Sequence, residues 1–322
     1  MTIKEIAKLA GVSPAAVSRY FNGGSLGEEK QKRIRQVIEE TGYLPNTAAQ
    51  TMRTGKSGQI GVIVPTVHSD SLSCMMAGIA ERLDEKKYIM ILGCTEDSMD
   101  NTLRYMDVMQ RNQVEGMILM AAEVPQVLKD KILESHIPVV VTGQNIPDIA
   151  CIYHDDENAL RDLTARVLAK GRYKLAYLGV AETDEAVGVI RKQSVLKAWV
   201  AAGHPAEKLI FKQVDYSMES GREAMEELLR EHPEVDSVIC ATDTIALGAY
   251  QAIRKAGKHI PEEIALAGVG DSAAGMVMQP ELTTVHFYYQ ECGYAAVDLL
   301  FQLMEEGEES ACQVMLDYHI LE

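Results

Sequence analysis

The sequence lacks several features that would place it in large classes of protein. It contains no run of about eighteen apolar residues, so it predicts no membrane-spanning helix. Its six cysteines lie far apart without a C-x-x-C pair, which argues against both a zinc site and a disulfide framework and favours buried free thiols. Its first residues have no apolar core of a signal peptide, so we expect a cytoplasmic protein.

Catalytic motifs are absent as well. The sequence has no nucleophile elbow, phosphate-binding loop or H-E-x-x-H motif, and its eight histidines are scattered without metal-ligand spacing. We therefore expect no enzymatic activity, no metal and no cofactor.

Charge is distributed unevenly along the 322 residues, whose formal net charge is −16. Residues 1–60 hold nine Lys and Arg against five Asp and Glu, a net charge of +4, and residues 61–322 carry −20. A basic head on an acidic body indicates a nucleic-acid-binding segment joined to a body that repels the polyanion. The hydrophobic content of 47% is sufficient for a real core, and the length suits two or three domains.

The first residues predict two short helices joined by a turn. Thr2 can cap the first helix, Gly11 ends it, and Ser13 with Pro14 begins the second as N-cap and first helical residue. The second helix turns Val17 inward. The residues that this pattern leaves outward on the second helix are Ala15, Ala16, Ser18, Arg19 and Asn22.

This arrangement has the physical requirements of a helix-turn-helix motif. Small side chains let the second helix enter a major groove, where Arg19 can form two hydrogen bonds with a guanine. Ser13, Ser18 and Asn22 are short donors suited to phosphates. A third helix is predicted from about Glu28 to Thr41. A three-helix bundle without a ligand is the alternative, but the positive charge of this segment favours DNA binding.

From Gln59 the pattern changes to short apolar strands that alternate with amphipathic helices. This alternation predicts parallel sheets with helices on both faces, and it occurs twice, which predicts two similar halves. The predicted strands lie near residues 59–64, 88–93, 116–120, 139–142, 174–179, 209–212, 237–241, 264–268, 283–286 and 312–320. The predicted helices lie near residues 72–86, 99–112, 125–135, 157–170, 188–202, 217–231, 244–256 and 290–305.

Two such halves form a cleft where the carboxyl ends of their strands face each other. Carboxylates there accept hydrogen bonds from sugar hydroxyls, an arginine donates to oxygens, and an aromatic ring packs on C–H groups. Helix capping is the alternative role for Asp155 and Asp243, each of which lies near the start of a predicted helix. The polar candidates are Ser69, Asp70, Ser71, Thr95, Glu96, Gln144, Asp155, Asp156, Arg191, Tyr216, Asp243 and Asp271.

Several motifs closely resemble those of the lactose/galactose repressor (LacI/GalR) family of transcriptional regulators, over essentially the whole chain. The resemblance implies a head with a hinge helix over residues 1–58 and an effector-binding, dimerising body over 59–322. The body would have two doubly wound parallel-sheet subdomains of periplasmic-binding-protein type. The motifs are Thr2–Arg19, Gly42–Asn46, Arg53–Gly55, Asp243–Gly248 and Leu282–Val285.

We expect the first subdomain to comprise residues 59–155 with 271–290, and the second to comprise 156–270 with 291–322. A hinge helix is expected at about residues 46–54. The resemblance implies that this helix inserts an apolar wedge into the minor groove, with Met52 in the position of the usual leucine.

The same resemblance completes the set of expected DNA contacts. Pro14 and Ala15 occupy the positions that vary with operator sequence, and each can read a base only through apolar contact. Ala16 replaces a threonine that contacts phosphate in the family. The expected DNA-binding residues are Thr2, Ser13, Pro14, Ala15, Ser18, Arg19, Asn22, Asn46, Ala49, Met52 and Arg53.

For the effector, the resemblance implies that Arg191 and Asp243 line the cleft and that Tyr216 takes an aromatic position in it. Asp271 departs from the family pattern by one residue. Phe287 begins a segment that looks like that of members responding to disaccharides such as trehalose or sucrose. The expected effector-binding residues are Ser69, Ser71, Asp155, Arg191, Tyr216, Asp243, Asp271 and Phe287.

These observations together predict a homodimeric DNA-binding repressor of a carbohydrate-utilisation operon, released by a small sugar. One alternative is the same regulator with a nucleobase or a protein co-repressor as its effector. A second alternative is a solute-binding module of a transporter, which the basic head argues against.

Overall fold

The structure is a computed structural model that describes residues 1–21, 24–43, 56–306 and 312–322. These residues form two compact units, Met1–Ser57 and Gly58–Glu322. The expected hinge helix at about residues 46–54 lies outside the described residues, so it stays a prediction. The same holds for five expected DNA contacts, which are Asn22, Asn46, Ala49, Met52 and Arg53.

The described residues of the head form three helices, and a reciprocal cap starts the first. Thr2 Oγ1 accepts a hydrogen bond from the Glu5 backbone N at 3.3 Å, and the Thr2 backbone N donates to Glu5 Oε2 at 2.7 Å. The helices pack around Ile6, Val17 and Ile34, each 0% exposed. The described helices are α1 (Ile3–Leu9), α2 (Pro14–Phe21) and α3 (Glu28–Thr41).

The body consists of two lobes built on separate sheets. In the first lobe the elements are β1 (Gln59–Val64), α4 (Asp70–Glu85), β2 (Ile89–Cys94), α5 (Met99–Arg111), β3 (Gly116–Met120), α6 (Gln126–Leu133), β4 (Val139–Thr142) and β5 (Ala150–His154). In the second they are α7 (Asp156–Ala169), β6 (Leu175–Gly179), a π-helical turn (Glu185–Ile190), α8 (Arg191–Ala201), a 3₁₀ turn (Ala206–Lys208), β7 (Ile210–Gln213), α9 (Met218–Glu231), β8 (Ser237–Cys240), α10 (Asp243–Lys255), β9 (Ala265–Val269), α11 (Ala273–Met276) and β10 (Thr283–Phe287). The last described elements are α12 (Tyr289–Glu306), β11 (Gln313–Leu316) and β12 (Tyr318–Leu321).

Each sheet has six described strands, in the order β11-β5-β4-β3-β1-β2 in the first lobe and β12-β10-β9-β8-β6-β7 in the second. The described pairs are parallel except β10–β12. Along β1, Ile60 and Val62 pack into one core and Ile63 into another, because successive side chains of a strand point to opposite faces. Both faces of the first sheet are therefore covered, as the run of apolar residues predicts.

The division of the late segments between the lobes differs from the expected one. β10 (Thr283–Phe287) lies in the second sheet, whereas residues 271–290 were expected in the first lobe. The following helix α12 packs on α4 and on strands of the first lobe, although residues 291–322 were expected in the second. The expected last strand is two strands, β11 in the first sheet and β12 in the second. Apolar patterning predicts the type of an element but does not identify its tertiary partner.

The contact between α4 and α12 depends on two glycines. A Cβ atom added at Gly78 would lie 2.1 Å from the Gln290 carbonyl oxygen, and one added at Gly293 would lie 2.3 Å from the Met75 carbonyl oxygen. Real Cβ atoms do not approach oxygen so closely, so the two helices meet backbone to backbone. This contact closes one face of the first lobe.

We predict that Gly78→Ala lowers the free energy of unfolding by about 1–3 kcal/mol, because the added methyl group forces the helices apart. Urea denaturation followed by circular dichroism measures the change. The matched control is Ser73→Ala on the exposed side of the same helix, which should change stability by less than about 0.5 kcal/mol. Equal stability of the Gly78 variant and the unmodified protein would contradict the close contact.

Candidate functional site

The second helix of the head presents a face of small and polar side chains to solvent. Ser13, Pro14, Ala15 and Arg19 are exposed, and Ser18 is half-buried. The Ser13 hydroxyl accepts a hydrogen bond from the Ala16 backbone N at 3.2 Å, so it caps the helix. This face has the shape and the donor groups that a major groove requires.

Ala16 was expected on the same outer face, and that prediction was wrong. Ala16 is only 7% exposed, and it lies next to Val17, which is fully buried. The helix face that meets the rest of the head is therefore wide enough to include two consecutive residues.

A cleft lies between the two lobes of the body, at the carboxyl ends of their strands. Its walls include residues that directly follow strands, such as Pro65, Thr95 and Ala121 in the first lobe and Val180 and Val214 in the second. The cavity within it has a volume of about 260 Å³. A cleft of this size accommodates a small organic molecule and places it in contact with both lobes.

Hydrogen bonds of Gln144 join the two lobes across the cleft, and one of them ends on Asp184, which is 5% exposed. Gln144 of the first lobe donates from Nε2 to Asp184 Oδ1 at 3.0 Å and to the Ala122 carbonyl at 2.9 Å. The Gln144 Oε1 atom accepts from the Ala186 backbone N at 3.2 Å. Within the second lobe, the Tyr216 hydroxyl donates to Asp184 Oδ2 at 2.7 Å. Asp184 therefore connects one wall of the cleft with the other.

Arg191 lies deep in the second lobe and is 6% exposed. Its Nε donates to Asp156 Oδ1 at 2.6 Å, its Nη1 donates to the Ala241 carbonyl at 2.5 Å, and its guanidinium lies 5.4 Å from the centre of the Phe287 ring. Burial opposes its charge, but the attraction to Asp156 and the neighbouring hydroxyls outweighs burial and raises the pKa of Arg191. It is a permanent buried cation.

Asp243 and Asp271 are hydrogen-bonded inside the second lobe. Asp243 is 2% exposed and accepts from the Thr284 hydroxyl at 2.6 Å and from the Ser272 backbone N at 2.7 Å. Burial raises its pKa, although these hydrogen bonds oppose the rise. Asp271 lies 2.7 Å from His286 Nδ1. Asp243 is not the N-cap of its helix, because Thr242 takes that role.

Two other expected effector residues cap helices. Asp155 accepts from the Asn158 backbone N at 3.1 Å and from its side-chain amide at 2.6 Å. Ser69 accepts from the Leu72 backbone N at 3.5 Å, and its hydroxyl lies 2.9 Å from that of Ser71. Among the eight expected effector residues, Tyr216 is the one that lines the described cleft. The roles of all eight stay predictions.

Several cleft residues were not among those expected. Asp97, Glu123, Thr183, Asp184 and Asp215 all line the cleft. Each follows a strand by a few residues, so a systematic reading of the first polar residues after every strand would have found them.

His154 lies at the junction of the lobes. It ends β5 of the first sheet and is 6% exposed, and its ring centre lies 4.8 Å from that of Phe287 and 5.1 Å from that of Tyr289. Burial and the nearby Arg191 charge lower its pKa from 6.5 to about 3. The ring is therefore neutral at physiological pH. Its Nε2 atom has no hydrogen-bond partner among the described residues.

We predict that His154 makes the protein sensitive to acid. Because the pKa of His154 is about 3 when folded and near 6.5 when unfolded, its contribution is complete above pH 6.5 and decreases as the pH falls toward 3. At pH 5 the loss from this one group is about 2 kcal/mol. Urea denaturation at pH 7 and pH 5 measures it.

The His154→Phe variant should lose correspondingly less stability between these two pH values, whatever its stability at pH 7. The matched control is His68→Gln, which changes an exposed histidine and should leave the pH dependence unaltered. If His154→Phe and the unmodified protein showed the same decrease, His154 would not be the group responsible.

The described residues contain no helix long and apolar enough to span a membrane. They also contain no group of three or more His, Cys, Asp and Glu side chains arranged to hold a metal ion.

Two family models match the chain. The model described as periplasmic binding proteins and sugar binding domain of LacI family matches residues 57–319. The model described as bacterial regulatory proteins, lacI family, matches residues 2–46. The second match lies within the first unit of the structure, Met1–Ser57, and the first match covers most of the second unit, Gly58–Glu322.

Known proteins similar to this chain include regulators with and without solved structures. The sucrose operon repressor of Staphylococcus xylosus is 29% identical over 306 residues, which cover 94% of this chain and 93% of the relative. The lac repressor in a dimer bound to operator and the anti-inducer ONPF is 22% identical, with a TM-score of 0.91. The match covers 100% of this chain and 98% of the lac repressor chain. A complex of the transcriptional regulator CelR with cellobiose is 24% identical, with a TM-score of 0.76 and the same coverage.

Proposed function

Because this chain belongs to the LacI family of bacterial regulatory proteins, we propose that it represses a carbohydrate-utilisation operon and that a small sugar in the interlobe cleft relieves the repression. The protein acts by binding rather than by catalysis, and its place of action is the cytoplasm, where bacterial DNA is found. The cleft carries this proposal, because a ligand inside it contacts both lobes and can change their relative orientation.

Two copies of the chain form the active unit in this proposal. One helix-turn-helix head reads one half-site, so a dimer recognises a nearly palindromic operator with two half-sites. The similar lac repressor structure is a dimer on its operator, which supports the same arrangement here. The wedge role of Met52 in the minor groove is part of this proposal.

We propose that three of the predicted effector residues form the inner wall of the site when the lobes open. Arg191, Asp243 and Phe287 all lie at the carboxyl-terminal edge of the second sheet, the edge that faces the first lobe. The lobes open to admit the sugar to these residues and close again on the bound sugar, so the closed arrangement is the one that holds it. Tyr216 lines the cleft and supplies an aromatic face for the C–H groups of the sugar.

Sugar and operator compete through the orientation of the lobes. If the sugar favours one orientation and the operator favours another, each ligand lowers the affinity of the other by the same factor. Fluorescence anisotropy of a labelled operator, titrated with the protein at increasing sugar concentrations, measures this factor. An operator affinity that no sugar alters would contradict the inducer role and leave DNA binding untouched.

Arg19 is predicted to read a base. Arg19→Ala should lose about 1–3 kcal/mol of binding free energy on the preferred operator and should no longer discriminate at one base pair of each half-site. Anisotropy titrations against operators changed at single positions measure both effects. Ser13→Ala is the comparison, because loss of a phosphate contact weakens all operators equally. A uniform loss for Arg19→Ala would contradict base readout.

Gln144 is predicted to favour the closed arrangement of the lobes. Gln144→Ala removes its hydrogen bonds to Asp184 and Ala186 of the second lobe, so it should lower sugar affinity about 3–10-fold and shift operator affinity in the opposite direction. Isothermal titration calorimetry and operator anisotropy measure the two affinities.

The control for this variant is Gln110→Ala. Gln110 donates to the Ser135 hydroxyl at 3.1 Å, and both residues belong to the first lobe. That variant should leave both affinities unchanged. Parallel changes of sugar and operator affinity in Gln144→Ala would contradict a role in lobe orientation.

A further inference from the structure

The first residue of the body, Gly58, lies between two neighbouring strands whose flanking side chains hold it. Gly58 directly precedes β1, and in the first sheet β1 lies between β2 and β3. Tyr88 directly precedes β2, and Glu115 directly precedes β3. The three residues therefore lie together at the amino ends of adjacent parallel strands, which is the edge of the sheet opposite the cleft.

The Glu115 carboxylate binds the backbone of Gly58. The Gly58 N–H donates to Glu115 Oε1 at 2.7 Å, and the Tyr88 hydroxyl donates to Glu115 Oε2 at 2.9 Å. The Gly58 carbonyl accepts from the Ile89 backbone N at 2.8 Å. A hydrogen bond to an ionised carboxylate is roughly twice as strong as one between neutral groups. Both backbone polar groups of Gly58 are thus fixed, and its N–H is fixed by a side chain.

Tyr88 keeps this carboxylate in place. The Tyr88 ring is half-buried and packs edge-on against Phe301 of α12, with 4.8 Å between the ring centres. Partial burial and the Glu115 carboxylate raise the pKa of Tyr88 to about 12, so its hydroxyl keeps the proton that it donates. Glu115 cannot turn away from Gly58 without also losing its hydrogen bond with Tyr88.

The direction in which the chain enters the body depends on glycine at this position. Gly58 has a φ of +69°, in the left-handed region that residues with a Cβ atom disfavour. A Cβ atom added there would have no other atom within 4 Å. The backbone direction, rather than close packing, is therefore what requires glycine at the entry to the body.

Only a short segment joins this point to the DNA-contacting part of the chain. The expected hinge helix ends at about residue 54, so residues 55–57 connect it to Gly58. Three residues span about 10 Å at full extension. Release of Gly58 would lengthen this segment by at least one residue, about 3.5 Å. One base pair of B-DNA rises by about 3.4 Å, so this extra length matches one step of the duplex.

We propose that Glu115 is a positioning residue for operator recognition. Its carboxylate fixes the point at which the linker leaves the body, so the dimer selects one spacing between the two operator half-sites. This inference rests on the proposed function, because it requires two heads on two half-sites. Each head reads its own half-site in the same way at any spacing, whereas the linker exits determine how far apart the two heads can lie.

The test uses the full chain and the nearly palindromic duplex that the unmodified protein selects from a random pool. A second duplex carries one additional base pair at its centre, and fluorescence anisotropy measures the affinity for each. We expect Glu115→Ala to reduce the preference for the selected spacing about 3–10-fold. Glu115→Gln should keep the preference, because the amide oxygen still accepts from the Gly58 N–H. The control is Glu134→Ala, an exposed residue of the same lobe, which should leave the preference unchanged.

A second pair of variants changes the linker exit and leaves the carboxylate intact. Gly58→Ala should also reduce the preference about 3–10-fold, because alanine disfavours the left-handed backbone and displaces the linker. Its matched control is Gly171→Ala in the second lobe. Gly171 has a φ of +76°, and a Cβ atom added there also has no other atom within 4 Å. That variant carries the same backbone strain and should discriminate between the two duplexes as the unmodified protein does.

Three results would overturn the inference. An unchanged spacing preference in both Glu115→Ala and Gly58→Ala would refute the role of the linker exit and leave operator recognition in place. An equal loss of affinity for both duplexes would show a general weakening instead of a change in spacing. Failure of the unmodified protein to select any duplex would contradict the proposed function together with this inference.

Discussion

The geometry of the body depends on three passages of the chain between its lobes. These passages follow β5, β10 and β11, and each leaves one sheet and enters an element of the other lobe. Three connecting segments side by side between two lobes favour a relative motion of the lobes that is a rotation about this junction. His154, Phe287 and Tyr289 pack against one another there, so the first two passages form one contact. The cleft lies between walls whose separation this junction governs.

The buried charges of the two lobes have different roles. Arg191 and Asp156 are fully enclosed and compensate each other, and removal of either partner would leave an isolated charge in the interior. Among the described residues, the cleft carboxylate Asp184 forms no ion pair and is held instead by hydrogen bonds from Gln144, Tyr216 and the Val187 backbone N. The ion pair fixes the inner structure of the second lobe, whereas the hydrogen bonds of Asp184 connect the two lobes.

The alternation of strands and helices could be predicted from the sequence because each element buries its own apolar pattern. The strand Ala150–His154 was missed, since it is short and follows directly on the loop that contains Pro147 and Asp148. The partition of the late segments could not be predicted, because β10 and α12 would be equally buried in either lobe. Such choices depend on partners distant in sequence, such as the fit of Gly293 against Met75.

The site was predictable in location but not in detail. Strand ends indicated the edge at which a cleft forms, and Tyr216 lies on its wall. The sequence could not show that the Asp243 carboxylate would accept hydrogen bonds from Thr284 and Ser272, because these partners are 41 and 29 residues away along the chain. It also gave no sign that Gln144 and Asp184 would meet across the lobes, since neither forms part of a recognisable motif.

The placement of α12 affects the order in which the parts of the chain can fold during synthesis. This helix covers one face of the first lobe, although it follows the whole of the second lobe in the chain. β11 and β12 then complete the edges of the two sheets. A nascent chain on the ribosome therefore cannot finish either lobe until β11 and β12 have emerged. Until then the apolar side of α4 has no cover, and the head is the unit that can fold first.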